Sequence, residues 1–269
     1  NGQDRQITVG IDIGSSTITC AIGMVIHESK RVKLLGIAST PSAGIRRGTI
    51  TNRDELITKL DNTLTEAELM ANMKVTSAIL SITGDHIRCL NTQAAIALNR
   101  TSAGTGGIME RVINETDIFQ VLDLAQAVSL PIDRDILHTL PQEYLVDTLE
   151  EIKNPIGMTG RRLEGRVHLV TAATTGMNNL VNCVEELGIT VAGLVFQPLA
   201  SAMATLRGDE IELGVTLVEI GSSSTNIAVY HGSAVRHSAT IPIGSASITH
   251  DIAVMLRISI EKAEAIKIK

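Results

Sequence analysis

Two stretches of the chain repeat each other: VGIDIGSSTITCAIG at residues 9–23 and VEIGSSSTNIAVY at residues 218–230. Aligned, Asp12, Ile13, Gly14, Ser15 and Ser16 fall on Glu219, Ile220, Gly221, Ser222 and Ser223. In each copy an apolar, β-rich run enters a Gly-Ser turn and leaves as another such run, which predicts a hairpin. Two copies are too few and too distant for a solenoid, so the chain reads as an α/β protein of two lobes that begin alike.

Small Gly and Ser side chains let an anion approach consecutive backbone N–H groups at a strand end. A pair of these turns, facing each other, would clamp a polyphosphate. The carboxylate ahead of each turn suits a hydrated Mg²⁺, which prefers octahedral oxygen coordination near about 2.1 Å and keeps several waters. Asp12 is the better placed of the two. A single DIGSS would be an ordinary hairpin; the repetition argues for a site. The loops carry neither GxxxxGK[ST] nor GxGxxG, neither turn opens a helix, and no GxSxG or HExxH is present.

Outward from the first repeat, Leu56, Ile57, Leu60, Leu64 and Ala67 recur at helical spacing behind the cap candidate Asn52, and residues 78–82 read as a buried strand. The texture changes between Gly84 and Arg166. A Gly/Thr/Ser run at 101–107, a helix with Ile118, Val121, Leu122 and Ala125 on one face, and the Pro-punctuated HTLPQEYLVDTLEEIKNPIGMTGRRLEG predict an inserted domain. VHLVTAA is then a strand, residues 178–187 a helix ended by Gly188, and Pro198 starts another helix. Three strand-like runs follow, parted by the second Ser-rich turn and by His231-Gly232, with helices at 247–257 and 259–269.

Composition bounds the function. With 269 residues, 44% hydrophobic, the chain can bury a substantial core. Its apolar runs are strand-sized, well short of the ~18–20 residues that span a bilayer, and NGQDRQITVG shows no secretory leader, which predicts a cytoplasmic protein. Cys20, Cys89 and Cys183 lie far apart without a CxxC, as reduced core thiols do. A net charge of −6, no Trp, two Tyr and two Phe argue against nucleic-acid binding, and Arg161, Arg162 and Arg166 read as a surface cluster. The seven His residues show no ligand spacing.

A DIG-type turn in each lobe, the second followed by IPIG and a helix, resembles the actin, hexokinase and chaperone ATPase superfamily. Within it ITGDHI, HTLPQEYLVD, IKNPIGMTGRRLEGRVHLVTA, FQPLASAMA, ELGVTLVEIG, IPIGSASITHDIAVML and AEAIK look like FtsA, the bacterial cell-division actin homologue. The resemblance covers essentially the whole chain and implies an actin-like (ribonuclease H-like) two-lobed ATPase fold with an FtsA-type insert. It puts subdomain IA at 1–85 and 168–200, the inserted subdomain IC at 86–167, and the start of the second lobe (IIA, entering IIB) at 201–269. It implies ATP and Mg²⁺ as cofactors, with Asp12, Gly14, Ser15, Ser16 and Thr17 on the first phosphate loop and Glu219, Gly221, Ser222, Ser223 and Ser224 on the second. Glu264 and Lys267 fall where the superfamily contacts the nucleoside sugar; a solvated i,i+3 ion pair is the plainer alternative. The implied partners are further copies in a head-to-tail filament through IC, FtsZ and other division proteins. The inner membrane at the septum joins them, reached through a C-terminal helix absent from this sequence.

The second loop departs from the family's DIGGGTTD. Serines replace glycines and would be strained if the turn needs φ > 0, Glu219 replaces Asp, Asn226 replaces a later Asp, and Gly244-Ser245 replaces a Gly pair. These changes imply at most a slow ATPase acting as a polymer subunit. The family continues past residue 269, so a fragment with an open second lobe is expected. A superfamily kinase, a polyphosphate hydrolase and an FtsA-like pilus-assembly adaptor are the alternatives. For an enzyme, Gln197 could position water or simply make a structural hydrogen bond.

Overall fold

The computed structural model describes residues 6–26, 31–98, 100–101 and 108–269. The first repeat is the expected hairpin: β1 (Ile7–Ile13) returns as β2 (Thr17–Ile26), and β3 (Arg31–Pro41) extends the antiparallel meander. Alternation along β1 buries Val9, Ile11 and Ile13 on one face. A clasp of β4 (Ile45–Arg46) and β5 (Thr49–Ile50) turns through Arg47 and Gly48, at φ 52° and 77°, the signs of a type I′ turn. Glycine is needed at 48 for that φ and because a Cβ would strike the Thr83 carbonyl.

Helix α1 (Arg53–Ala71) starts at the expected cap: the Asn52 side chain accepts the Glu55 N–H at 3.3 Å. Its stripe of Leu56, Leu60, Leu64 and Ala67 is buried against the meander, each leucine contributing about 1.5–3 kcal/mol. Strand β6 (Ser77–Ile82) then pairs parallel with β1.

From here the chain builds a second layer. In order come β7 (Arg88–Ala97), the minimal pair β8 (Arg100–Thr101) and β9 (Ile108–Met109), β10 (Arg111–Val112) and α2 (Glu115–Gln126). After them come β11 (Arg134–Val146), β12 (Leu149–Ile152), β13 (Thr159–Gly160) and β14 (Arg162–Ala173). Four of these form an antiparallel sheet, β12-β11-β14-β7, on which α2 packs through Val121 and Ala125. Most of the Gly/Thr/Ser run, 102–107, lies outside the described residues, as do residues 1–5 of the start. The Pro-punctuated stretch carries strands: Pro141 sits in β11 where the register shifts between Pro141 and Glu143, so its missing N–H falls at an irregularity. β14 serves two cores, with Leu163, Val167 and Leu169 in the second layer and Val170 and Ala172 under the first sheet.

Helix α3 (Thr174–Glu185) begins four residues before the expected 178, because the chain leaves β14 directly into it with the Thr174 N–H on the Asp133 carbonyl at 2.9 Å. Gly188 follows at φ 77°, and β15 (Thr190–Phe196) pairs parallel with β6, completing the order β15-β6-β1-β2-β3. Next come α4 (Gln197–Thr205), opened by Pro198, and α5 (Gly208–Leu213). The second repeat makes β16 (Val215–Ile220) and β17 (Thr225–His231), with β18 (Ala234–Ile241) continuing the meander. The repeats match in register: Asp12 faces Thr19 as Glu219 faces Asn226. Helices α6 (Ser245–Leu256) and α7 (Ile260–Ile268) close the described chain; Ser259 caps α7 rather than starting it.

The second layer docks on β18 through polar contacts. Asn91 Nδ2 donates to the Arg236 carbonyl at 3.0 Å, Gln142 Nε2 to the Val235 carbonyl at 2.8 Å, and Arg236 Nη1 to Glu143 at 3.1 Å. Fully buried His168 meets Asn91 Oδ1 at 2.6 Å through Nδ1 and the Ser238 hydroxyl at 2.7 Å through Nε2. Burial, and His237 nearby, hold its pKa down to about 4.

Candidate functional site

The two turns are built alike and meet. Gly14 N–H donates to the Thr17 carbonyl and Gly221 N–H to the Ser224 carbonyl, each at 2.9 Å. Ser223 Oγ donates to Ser15 Oγ at 2.7 Å, and the Arg47 backbone N–H lies 3.0 Å from Ser15 Oγ and 3.2 Å from Ser223 Oγ. No residue of 14–17 or 221–224 has positive φ, so serine at 222 and 223 carries no backbone penalty. The anticipated strain from losing glycine is therefore absent. The amides of Ser15, Ser16, Ser222 and Ser223 have no partner among the described residues, leaving four N–H donors at the meeting point.

Ser16 and Thr17 are exposed, and the Ser16 carbonyl accepts the Ser42 N–H at 2.8 Å. Ser224 is buried at the end of its turn. The second turn is pinned to α6: the Gly221 carbonyl accepts from Ser245 N–H and the Ser222 carbonyl from Ala246 N–H, each at 2.9 Å. Gly244 makes this possible, since a Cβ there would lie 2.5 Å from both carbonyl oxygens.

Below the turns lies a polar layer. Asp12 accepts from the Ser81 hydroxyl; burial raises its pKa, the Ser81 bond lowers it, and the facing Glu219 carboxylate raises it again. Glu219 accepts from Ser201 at 2.8 Å and from Asn226 Nδ2 at 3.2 Å. Asn226 Oδ1 accepts from Thr83 at 2.8 Å and Thr240 at 2.9 Å, while Nδ2 also reaches Gln197 Oε1 at 3.3 Å. Gln197 thus has a structural hydrogen bond to this amide.

Among the described residues no group of three or more His, Cys, Asp or Glu is placed to hold a metal ion. Asp12, desolvated and facing Glu219, fits a hydrated Mg²⁺ that keeps most of its waters and takes one or two carboxylates.

Glu264 and Lys267 do not join the turns directly. They form an ion pair of 2.7 Å on α7, packed against the first turns of α6: Thr249 Oγ1 donates to Glu264 at 2.5 Å, and Lys267 Nζ lies 2.8 Å from Thr249 Oγ1 and 3.4 Å from the Ser245 carbonyl. Lys267 and the second turn thus approach Ser245 from two sides. A cleft of about 490 Å³ opens here, with Arg46, Arg47, Ser222, Ser223, Ser247 and Ile260 among its walls, a size suited to a small ligand.

Sequence reasoning missed Arg47, Ser81, Thr83 and the hub role of Asn226. The Arg-Gly pair at a short hairpin tip was the one local signal for Arg47. Of the arginine cluster, Arg161 and Arg162 are exposed, and half-buried Arg166 pairs with Glu143 at 2.7 Å. Cys20 and Cys183 are buried and Cys89 is half-buried. No helix among the described residues is long and apolar enough to cross a membrane.

Residues 84–171 match the family model described as the SHS2 domain inserted in FtsA, and residues 216–269 match that of cell division protein FtsA. Cell division protein FtsA of Pseudomonas aeruginosa is 39% identical over 267 residues, covering 99% of this chain and 61% of that protein. FtsA of Neisseria meningitidis is 38% identical over 266 residues and that of Escherichia coli K12 35%, each covering 99% and 61%. Among solved structures, a PilM-PilN type IV pilus biogenesis complex matches with a TM-score of 0.71 at 14% identity, covering 98% of this chain and 69% of that one. EutJ of Carboxydothermus hydrogenoformans matches with 0.55 at 15%, covering 100% and 64%.

Paired meanders with facing serine turns and an added sheet between them make this an actin-like ATPase fold. The identity over almost every residue then narrows the class. The chain belongs to the FtsA family of cell-division proteins. It spans about three-fifths of the length of the curated relatives it matches.

Proposed function

We propose that this chain is the nucleotide-holding part of an FtsA-type division protein. ATP with Mg²⁺ binds between the two serine turns, with Asp12 holding the ion through water. The turns at 14–17 and 221–224 hold the phosphates through the unpartnered amides of Ser15, Ser16, Ser222 and Ser223, and Glu264 and Lys267 serve the nucleoside end. One observation carries the reading: Ser15 and Ser223, 208 residues apart, touch at 2.7 Å with four unpartnered amides around them.

In this reading 1–85 and 168–200 are subdomain IA, 86–167 is IC and 201–269 opens the second lobe. Subdomain IC contacts the next subunit of a head-to-tail filament, and the whole protein ties FtsZ to the inner membrane at the septum and recruits other division proteins. Turnover is slow, because position 226 carries an amide rather than a carboxylate and its hydrogen bonds are all used within the fold. Calorimetric titration of the 269-residue chain with Mg-ATP tests the reading. Saturable binding that needs Mg²⁺ supports it, and no binding at millimolar nucleotide overturns it.

A further inference from the structure

We propose that the Arg46-Arg47-Gly48 hairpin tip is a third phosphate-binding element of the cleft, with the Arg47 guanidinium as an anion ligand and its backbone N–H as the latch that joins the two serine turns. This rests on the reading of the cleft as a polyphosphate site.

Several independent features converge on Arg47. Its N–H is shared between Ser15 Oγ and Ser223 Oγ, one from each lobe. Its carbonyl accepts the Asp85 N–H at 3.3 Å, so the hairpin tip is also fastened to the loop after β6. The residue holds φ 52°, a conformation that side-chain-bearing residues avoid and that glycine or asparagine takes readily. A turn needing only backbone would be better served without arginine, so the side chain is kept at a conformational cost.

The side chain is also unsatisfied. Arg47 Nε is buried without a hydrogen-bond partner, and neither Arg46 nor Arg47 has an ion-pair partner among the described residues. A buried guanidinium N–H lacking an acceptor is costly, and a planar fork of donors matches phosphate oxygens. Both arginines line the cleft that Ser222 and Ser223 also line, so a phosphate drawn to the serine amides comes within their reach. One exposed carboxylate, Asp251, stands on the same wall, and it favours a ligand that brings a cation along with its phosphates.

The Ser15–Ser223 contact leaves no gap for a phosphate between those hydroxyls. A polyphosphate entering between the turns must exchange that hydrogen bond, and the two from the Arg47 N–H, for contacts of its own. The same hairpin therefore closes the cleft without ligand and grips the anion with it.

The test is Mg-ATP binding by calorimetry to the wild-type chain, Arg47→Gly and Arg47→Lys, with thermal melting of each in the absence of nucleotide. Arg47→Gly keeps the N–H and relieves the left-handed strain while removing the guanidinium. We expect its ligand-free melting temperature to hold or rise while its Kd for Mg-ATP increases at least 10-fold; Arg47→Lys keeps part of the affinity. Binding by Arg47→Gly within twofold of wild type overturns the role of Arg47 and leaves the cleft reading standing. A fall in ligand-free melting temperature alongside weakened binding makes Arg47 a structural residue and overturns the proposal too. A wild-type chain that binds no Mg-ATP overturns the cleft reading itself.

Discussion

Replacing Asn226 with Asp restores the charge expected from the family's second loop, and the structure says that it destabilises this chain. Asn226 is buried, and its Nδ2 lies 3.2 Å from Glu219 Oε2 and 3.3 Å from Gln197 Oε1. The substitution puts a carboxylate oxygen where that donor stands. Two unit charges at this spacing repel by about 5 kcal/mol at an effective dielectric constant of 20. The chain escapes the full amount by keeping a proton on one carboxyl, which at pH 7 costs about 4 kcal/mol at ~1.4 kcal/mol per pH unit above the ordinary value. The smaller figure wins, so we expect a loss of about 4 kcal/mol at pH 7 by urea denaturation. An acid whose folded pKa is raised weakens the fold increasingly as pH climbs above its unfolded value, so the loss should fall to roughly a third, about 1.4 kcal/mol, at pH 5. Adding Glu219→Gln supplies a partner without charge and should recover at least about 2 kcal/mol, a non-additivity that a double-mutant cycle reads directly. A loss under about 1 kcal/mol, or additive effects of the two substitutions, would refute the direct Asn226–Glu219 hydrogen bond.

Two further outcomes follow from the same polar layers. Asp12→Asn removes a desolvated charge facing Glu219 while keeping an acceptor for Ser81, so it should raise ligand-free stability at pH 7 by about 1–2 kcal/mol yet weaken Mg-ATP binding at least 10-fold; denaturant melts and calorimetry read the two separately. His168 has a folded pKa of about 4, below the ordinary 6.5, so the unfolded chain takes up the proton first and stability, full above pH 6.5, is lost as pH falls toward 4. That loss is about 3 kcal/mol, and His168→Gln should flatten the stability profile across this window, as measured by urea midpoints.

How much was legible depended on the range of the signal. The hairpins around 14–17 and 221–224, the Asn52 cap and the apolar stripe of α1 are local patterns, and the structure forms them where the sequence puts them. The repeat in sequence even carries the strand register, Asp12 on Thr19 and Glu219 on Asn226. Arg47 and Asn226 were opaque because their importance lies in contacts to residues far away in sequence, Arg47 to Ser223 at 176 positions and Asn226 to Thr83 at 143. The fear that Ser222 and Ser223 strain their turn came from reading composition without dihedrals; the turn closes through Gly221 N–H and needs no left-handed residue. Strand β11 was hidden by Pro141, and of β14 only VHLVTAA, its second half, read as a strand, because its buried face switches from one core to another midway.

The facing of the two serine turns is best tested by joining them. Ser15→Cys with Ser223→Cys places two thiols where hydroxyl oxygens now stand 2.7 Å apart, close enough for a disulfide to form under mild oxidation, while Cys20 and Cys183 stay buried. We expect the oxidised double variant to lose Mg-ATP binding and to regain it on reduction, since a polyphosphate then has a way in. Failure of the bridge to form, or undiminished ATP affinity with the bridge in place, would show that the nucleotide does not lie between these turns.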